Sequence, residues 1–428
     1  MDRPGRRLPA RARTSPAAVP GLQKRLLWGP VIGFGLVSLA ADVVSDGARP
    51  LAGPLLAQLG GSALLVGLVT GGAEAAAQGL RLVFGPWADR TRKYWTFTLA
   101  GYALTAVCVP LLAVTPGAGA AGLVLACGLI IGDRVGKAVR SPAKTVLLAA
   151  AATAVGRGRG FAVHKSLDLA GALLGPLLVS AVLAATGMLS AAFAVLAVPA
   201  AAALLLLVRL RRRVQDPGTG LPAPDGTAGP PNAAGTVAPD PAGAPPAAFS
   251  RAFILFAAAA FFWSAGLVAF GVISFHLTAT AAVPVPAVPL LYAAAMGAAA
   301  LGALASGVAY DRAGPAVLLG LPVLITSVPV LALAPGLGLV LAGVLVWGTA
   351  TGIQDSTVKA LIADLVPGGR EGTAYGVFAA FEGAGALAGG ALYGALYAAR
   401  PALIAAVAAL QGVALVLLVV SLRKARRP

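Results

Sequence analysis

Acids and bases recur inside stretches that are otherwise almost wholly apolar, and their spacing groups them. Asp42, Asp46 and Arg49 fall at i, i+4 and i+7, one face of a helix. Glu74, Gln78 and Arg81 repeat that spacing; Asp133, Lys137, Arg140 and Lys144 form a third stripe, with Arg134 beside it. His164, Lys165 and Asp168 make a fourth group, while the second half of the chain offers only Asp355, Lys359 and Glu382. A charged side chain at the centre of a bilayer costs about 2.5–3.5 kcal/mol on insertion scales, so such residues face a bundle interior or an aqueous cavity and pair there. Carboxylates in that setting can carry protons: burial favours the neutral acid, and an approaching Lys or Arg favours the carboxylate. Asp42, Asp46, Glu74 and Asp133 are the candidate carriers, with Arg49, Arg134 and Lys137 as partners. The alternative is a static network of salt bridges that only supports the fold. His276, standing alone, reads as a packed or interfacial residue.

The elements that position these groups are membrane spans. Of 428 residues, 58% are hydrophobic and 11% charged, with a mean hydropathy of +0.87, far above a soluble globular chain. A span needs roughly 20 apolar residues. That rule predicts twelve: Leu27–Leu59, Ser62–Trp87, Trp95–Val114, Ala121–Ala149, Phe161–Ala185, Leu189–Val208, Ala252–Thr280, Val288–Tyr310, Ala316–Ala334, Leu337–Val366, Thr373–Tyr397 and Pro401–Leu422. The net charge of +17 comes from Lys and Arg beside the spans, the pattern of cytoplasmic loops rather than of nucleic-acid binding. Arg90, Arg92, Lys93, Arg157, Arg159, the run from Arg209 to Arg213, Arg312 and both basic tails fall on one side, and Arg400 on the other. Both termini are therefore expected in the cytoplasm, which requires an even number of spans. Cys108 and Cys127 lie within spans and read as packing residues, not a disulfide or a metal site.

The chain repeats itself. Gly85-x-x-x-Asp89-Arg90 recurs as Gly307-x-x-x-Asp311-Arg312, 222 positions on, and Asp133-x-x-x-Lys137 recurs as Asp355-x-x-x-Lys359 at the same offset. From Asp216 to about Ser250 the composition turns to Pro, Gly and Ala, a flexible linker with little to bury. The predicted organisation is a basic cytoplasmic tail (1–26), a six-helix bundle (27–208), a linker (209–250), a second six-helix bundle (251–422) and a basic tail (423–428). Parallel repeats of six spans are one known transporter layout.

On these motifs the sequence resembles the major facilitator superfamily from Leu26 to about Leu422. The family's loop between its second and third helices is a Gly-x-x-x-Asp-Arg-x-Gly-Arg-Lys-like string; Gly85, Asp89, Arg90 and Lys93 match it, while Arg92 occupies a glycine place. Gly307, Asp311, Arg312 and Gly314 match a second copy. Gly171-x-x-x-Gly175-Pro176 is similar to the fifth-helix motif of the family's antiporters, with Val179 and Ser180 where two further glycines usually stand. The stretch Asp133-Arg134-Val-Gly136-Lys137-x-x-Arg140-Ser-Pro142 resembles a bacterial subgroup whose first helix carries an acid pair like Asp42 and Asp46.

The resemblance implies an all-α membrane protein with twelve helices in two pseudo-symmetric bundles, working by alternating access. Asp89 and Asp311 are expected at the cytoplasmic gate, accepting backbone N–H groups or pairing with Arg on a neighbouring helix. The glycines of the fifth span serve helix packing, a hinge, or both. The leading expectation is proton-coupled export of a small, partly apolar molecule. Proton-driven uptake or facilitated diffusion of a nutrient, export of a metal or siderophore, and a receptor or scaffold on the same fold are the alternatives. Enzyme motifs of the metalloprotease, phosphate-loop and Gly-x-Ser-x-Gly kinds are missing from the sequence, and no cofactor or metal is expected. The expected partners are the substrate, protons and the lipid bilayer. A monomer in the cytoplasmic membrane of a bacterium is the default, because each chain can enclose its own path.

Overall fold

The computed structural model describes residues 20–153, 155–214, 249–280, 282–366 and 371–425, and the regular structure in them is helical. Most of the two basic tails' Arg residues and the body of the predicted linker, 215–248, lie outside the described residues. Nine stretches among the described residues are long and apolar enough to cross a membrane.

The first runs through α1 (Pro20–Ala48), a 3-10 turn at Arg49–Leu51 and α2 (Ala52–Gln58). The α-helix loosens there because Pro50 and Pro54 lack the N–H that would continue the ladder. Next come α3 (Ala63–Gly79) with α4 (Arg81–Thr91), then α5 (Tyr94–Leu111), α6 (Ala120–Ala152), α7 (Arg157–Thr186), α8 (Leu189–Ala194) and α9 (Ala197–Arg211). Ser62 caps α3, its hydroxyl accepting from the Leu65 N–H at 3.2 Å. After the undescribed segment follow α10 (Arg251–Gly266), α11 (Phe270–Ala279), α12 (Ala287–Ala313), α13 (Gly320–Ala332), α14 (Leu337–Leu365), α15 (Glu371–Ala395) and α16 (Arg400–Ala425).

Three features separate the nine apolar stretches from the twelve predicted. Charges at Asp133, Arg134, Lys137, Arg140 and Lys144 take α6 out of the purely apolar set, and α15 is diluted by glycine. The stretch Ala287–Ala332 is 46 residues long and holds two helices, α12 and α13, joined through Gly314, which adopts φ 68°.

Small residues set the helix pairings. A side-chain carbon on Gly67 would strike the Gly390 carbonyl, one on Gly71 the Ala386 carbonyl, and one on Gly394 the Leu64 backbone, so α3 and α15 pack backbone to backbone. Gly171 sits on Leu39 and Asp42, and Gly175 on Val43 and Gly47, which brings α7 against α1. Gly348 and Gly352 do the same for α14 on Ala295 and Ala299 of α12.

Contact between the two halves of the chain is tight at the end marked by Gln58 and Ala63. There Gly53 of α2 abuts the Gly271 carbonyl, Ser274 and Phe275 of α11, and Ser180 donates to the Pro286 carbonyl at 2.7 Å. The largest buried cluster joins both halves at this end, including Leu55, Val66, Phe193, Ile273 and Tyr292. Toward the other end each half has its own cluster, around Phe34 and Trp95 in one and Phe256 and Trp263 in the other. The Asp355 side chain is 66% exposed there. The halves thus enclose a cleft that is closed at one end.

Candidate functional site

Two interrupted helices meet at the closed end of the cleft. The 3-10 turn at Arg49–Leu51 turns Arg49 inward, and between α10 and α11 the backbone runs extended through Leu267 and Ala269. An interruption inside a membrane frees carbonyls that need donors. Here Tyr393 donates to the Gly266 carbonyl at 2.7 Å and the Trp347 indole N–H to the Val268 carbonyl at 2.7 Å. Ala269, Phe270 and Gly271 are thereby held against the cavity, which with the solvent space it opens onto amounts to about 500 Å³.

The first half supplies the cavity's polar side: Ser45, Arg49, Thr70, Glu74, Asp133 and Arg134. Arg49 is salt-bridged to Glu74 through Nη2 and donates through Nη1 to the Tyr292 hydroxyl at 3.2 Å. Tyr292 in turn donates to Asp46 Oδ1 at 2.9 Å, and Arg49 Nη1 stands 3.7 Å from the same oxygen. A chain of polar contacts therefore runs Glu74–Arg49–Tyr292–Asp46, crossing from α3 and α1 to α12 in the other half. Beside it Ser45 donates to Asp133 Oδ1 at 3.0 Å, and Asp133 Oδ2 lies 3.6 Å from Arg134 Nε. Both Asp133 and Arg134 are 5% exposed. The rest of the lining is apolar, with Val109, Leu112, Ile130 and Phe270.

Five of the residues singled out from the sequence, Asp46, Arg49, Glu74, Asp133 and Arg134, thus come together. Asp42 anchors a neighbouring group toward the open end, within electrostatic range of Lys137, Asp168 and Lys144. In that group His164 Nε2 is 3.5 Å from Asp168 Oδ1, and Lys144 donates to Ser38 at 2.9 Å. On the α5 side of α6, Arg140 donates to Thr105 at 2.5 Å and stacks over the Tyr102 ring, 4.7 Å from its centroid. Asp355 and Lys359 do not join the network. They make an i, i+4 pair at 3.5 Å with side chains 66% and 52% exposed. Although they stand 222 positions from Asp133 and Lys137, the corresponding stretch of α14 flanks the open part of the cleft instead of its closed end. Glu382 is part-buried in α15.

Tyr292 has no counterpart in the charge pattern of the sequence. Its only sequence signal is a lone hydroxyl in the apolar start of α12. Ser45, one position before Asp46, is likewise inconspicuous. His276 shares its Nδ1 with the Tyr397 hydroxyl at 2.9 Å, a pairing between α11 and the turn after α15, and neither residue lines the cavity.

The loop motif departs from expectation in one respect. Asp89 and Asp311 lie in the last turns of α4 and α12, where the free backbone groups are carbonyls, not the N–H groups expected to bind them. Asp89 instead accepts from the Tyr94 hydroxyl at 3.2 Å. Asp311 is exposed, and neither acid makes an ion pair among the described residues.

A family model described as Major Facilitator Superfamily matches residues 34–390. The chain belongs to the major facilitator superfamily. An uncharacterised protein of Mycobacterium tuberculosis is 48% identical over 371 residues, covering 86% of this chain and 87% of the relative. Among solved structures, a nucleoside transporter superposes with a TM-score of 0.70 at 13% identity, over 92% of this chain and 99% of that one. A bacterial homologue of the human lysosomal transporter Spinster, in an inward-facing and unoccupied conformation, gives 0.66 at 16% identity, over 93% and 96%. At such identities the likeness is one of fold. The family match, with the apolar helices, makes this chain a multi-pass membrane protein of a transporter superfamily.

Within the superfamily's loop motif the structure explains the odd residue. Arg92, in the glycine place, caps α4 at φ 52°, the one non-glycine residue with positive φ among those described. Gly314, 222 positions on, adopts φ 68° at the end of α12. The two turns share a left-handed φ, which only glycine adopts without strain, and the first copy keeps it despite its side chain. The fifth-helix glycines Gly171 and Gly175 lie in the α1–α7 contact, with Pro176 next to them. Of the two positions beyond, Val179 is fully buried and Ser180 bonds across to the second half.

Proposed function

We propose that this protein is a secondary active transporter that exports a small molecule in exchange for protons by alternating access. In this reading α6 and α15 are spans, α12 and α13 are two, and the total is twelve, in bundles of six before and after the linker. Both termini lie in the cytoplasm of a bacterium, which makes the open end of the cleft cytoplasmic and the conformation inward-facing. One bundle rocks on the other around the cavity, and Asp89 and Asp311 bias the gate at the cytoplasmic end. Each monomer encloses its own path.

The observation that carries the reading is the part-buried chain of contacts Glu74–Arg49–Tyr292–Asp46. It places two acids around one guanidinium in a cavity, and its Tyr292 links, which cross to the other half, must break when the halves separate. Protonation of an acid weakens its hold on Arg49, and departure of Arg49 favours protonation. Asp42 and its neighbours extend the path toward the cytoplasm. Such a coupled pair of equilibria is what proton antiport needs.

The test uses everted membrane vesicles from cells with and without the protein, an imposed proton gradient reported by a quenched dye, and a broad panel of compounds. Antiport predicts that some compound relieves the quench only with the protein present, and that Asp42→Asn, still folded, loses the effect. If no compound does so while radiolabelled solutes accumulate or equilibrate, export fails and uptake or facilitated diffusion replaces it. Full proton-driven transport by Asp42→Asn removes that residue from the coupling path.

A further inference from the structure

The acids in and beside the cavity are already engaged among the described residues. Glu74 holds Arg49, Asp46 accepts from Tyr292 at 2.9 Å, and Asp133 accepts from Ser45 at 3.0 Å. Arg134 is left over. Its Nη1 is buried without a hydrogen-bond partner among the described residues, and its ion-pair contact there, Asp133 Oδ2 to Nε, is 3.6 Å, beyond a good hydrogen bond. A guanidinium carries five donors and stays charged, and leaving one 5% exposed without an acceptor is costly in a low-dielectric interior. The missing acceptor can reach it, because Arg134 lines the cavity at the closed end of the open cleft. The rest of the lining says what else the occupant carries: Phe270, Ile130, Val109 and Leu112 are apolar.

We infer that the cavity binds an amphipathic organic anion, its carboxylate or equivalent acidic group held by Arg134 and its apolar body against Phe270 and Ile130. This names the substrate class of the transporter proposed above and rests on that reading for its physiological meaning. Arg134 suits the task because its planar fork can meet two oxygens of one carboxylate. Arg49 does not compete for the ligand, since Glu74 and Tyr292 already hold it.

The experiment takes the purified full chain in nanodiscs of zwitterionic phosphatidylcholine and titrates four probes by calorimetry: 4-phenylbutyrate, 4-phenylbutylamine, 4-phenylbutanol and inorganic phosphate. The carboxylate should bind more tightly than each of the others by roughly tenfold or more, the size of one charge-assisted hydrogen bond. Arg134→Gln should lose that advantage and leave the alcohol's affinity unchanged. Arg134→Lys, which keeps the charge but not the fork, should retain part of it. The ranking of probes on the unaltered protein stands whether or not a variant folds. Amine or alcohol binding as tight as the carboxylate, no measurable carboxylate binding, or wild-type affinity in Arg134→Gln overturns the inference. Phosphate binding as tight as the carboxylate overturns its amphipathic part. Counterflow in proteoliposomes separates the two claims. Exchange of the amine instead of the carboxylate sinks this inference and leaves transport standing, whereas a carboxylate that binds through Arg134 yet never exchanges sinks transport and leaves the site.

Discussion

Replacing Tyr292 by Phe removes one oxygen and little else. The ring is fully buried, and its contacts with Phe270 and Trp347, at centroid distances of 4.9 and 6.4 Å, survive the change. What goes are the bond donated to Asp46 at 2.9 Å and the bond accepted from Arg49 at 3.2 Å. Asp46 and Arg49 are left facing each other at 3.7 Å. Hydrogen bonds to charged groups contribute about 1.5–3 kcal/mol each in soluble proteins, but side-chain bonds between membrane helices average only about 0.6 kcal/mol, with a maximum near 1.7. Two of them give about 1–3 kcal/mol. Because Asp46 and Arg49 belong to the first half and Tyr292 to the second, that energy favours the arrangement closed at the Gln58 end. Its loss should raise the population open at that end by roughly tenfold, since about 1.4 kcal/mol is a factor of ten. Ala73 lines the cavity and is 3% exposed, so a cysteine placed there, with Cys108 and Cys127 replaced by Ala, reports the opening. Alkylation by a membrane-impermeant reagent applied from the Gln58 side should speed up by about that factor in Tyr292→Phe. Equal rates and an equal thermal midpoint would refute the idea that this hydroxyl ties the halves.

Three further outcomes follow from the packing and the turns. Arg92→Gly should raise thermal stability by up to about 1 kcal/mol by relieving a left-handed residue, and Gly314→Ala should lower it by about 1–2 kcal/mol; the opposite pair of signs in thermal unfolding would show that these turns carry no strain. Gly67→Leu forces α3 away from the Gly390 carbonyl, at a cost of about 1–3 kcal/mol, and should open the Ala73→Cys reporter, whereas Gly72→Ala, whose new carbon would meet only Leu387 at 3.8 Å, should be neutral in both assays. Asp89→Asn should slow conformational exchange and leave ligand affinity intact, read by comparing turnover in proteoliposomes with binding in nanodiscs; an unaltered turnover rate removes Asp89 from the gate.

Composition and local periodicity were enough for the membrane class, the repeat at an offset of 222, and the grouping of acids and bases on single helical faces. These depend on residue type and on the 3.6-residue turn, both written along one helix. The interrupted first span could be suspected from Pro50 and Pro54, and the turn at Gly314 from its glycine. The partners of the charges were not legible, because they are set by which helices touch and at what height. Asp133 and Asp355 occupy matching places in the two repeats, yet one is buried against Ser45 and Arg134 while the other is largely exposed. The difference arises because the halves converge near Gln58 and diverge at the other end. Tyr292 became a bridge between Asp46 and Arg49 only through the seating of α12 across the cleft. The break at Leu267–Ala269 is tolerated only because Trp347 and Tyr393, far along the chain, meet its free carbonyls. Arg134 was visible from the start as a charge in a span. That its Nη1 lacks an acceptor among the described residues is set by the tertiary contacts, which give each neighbouring acid another donor.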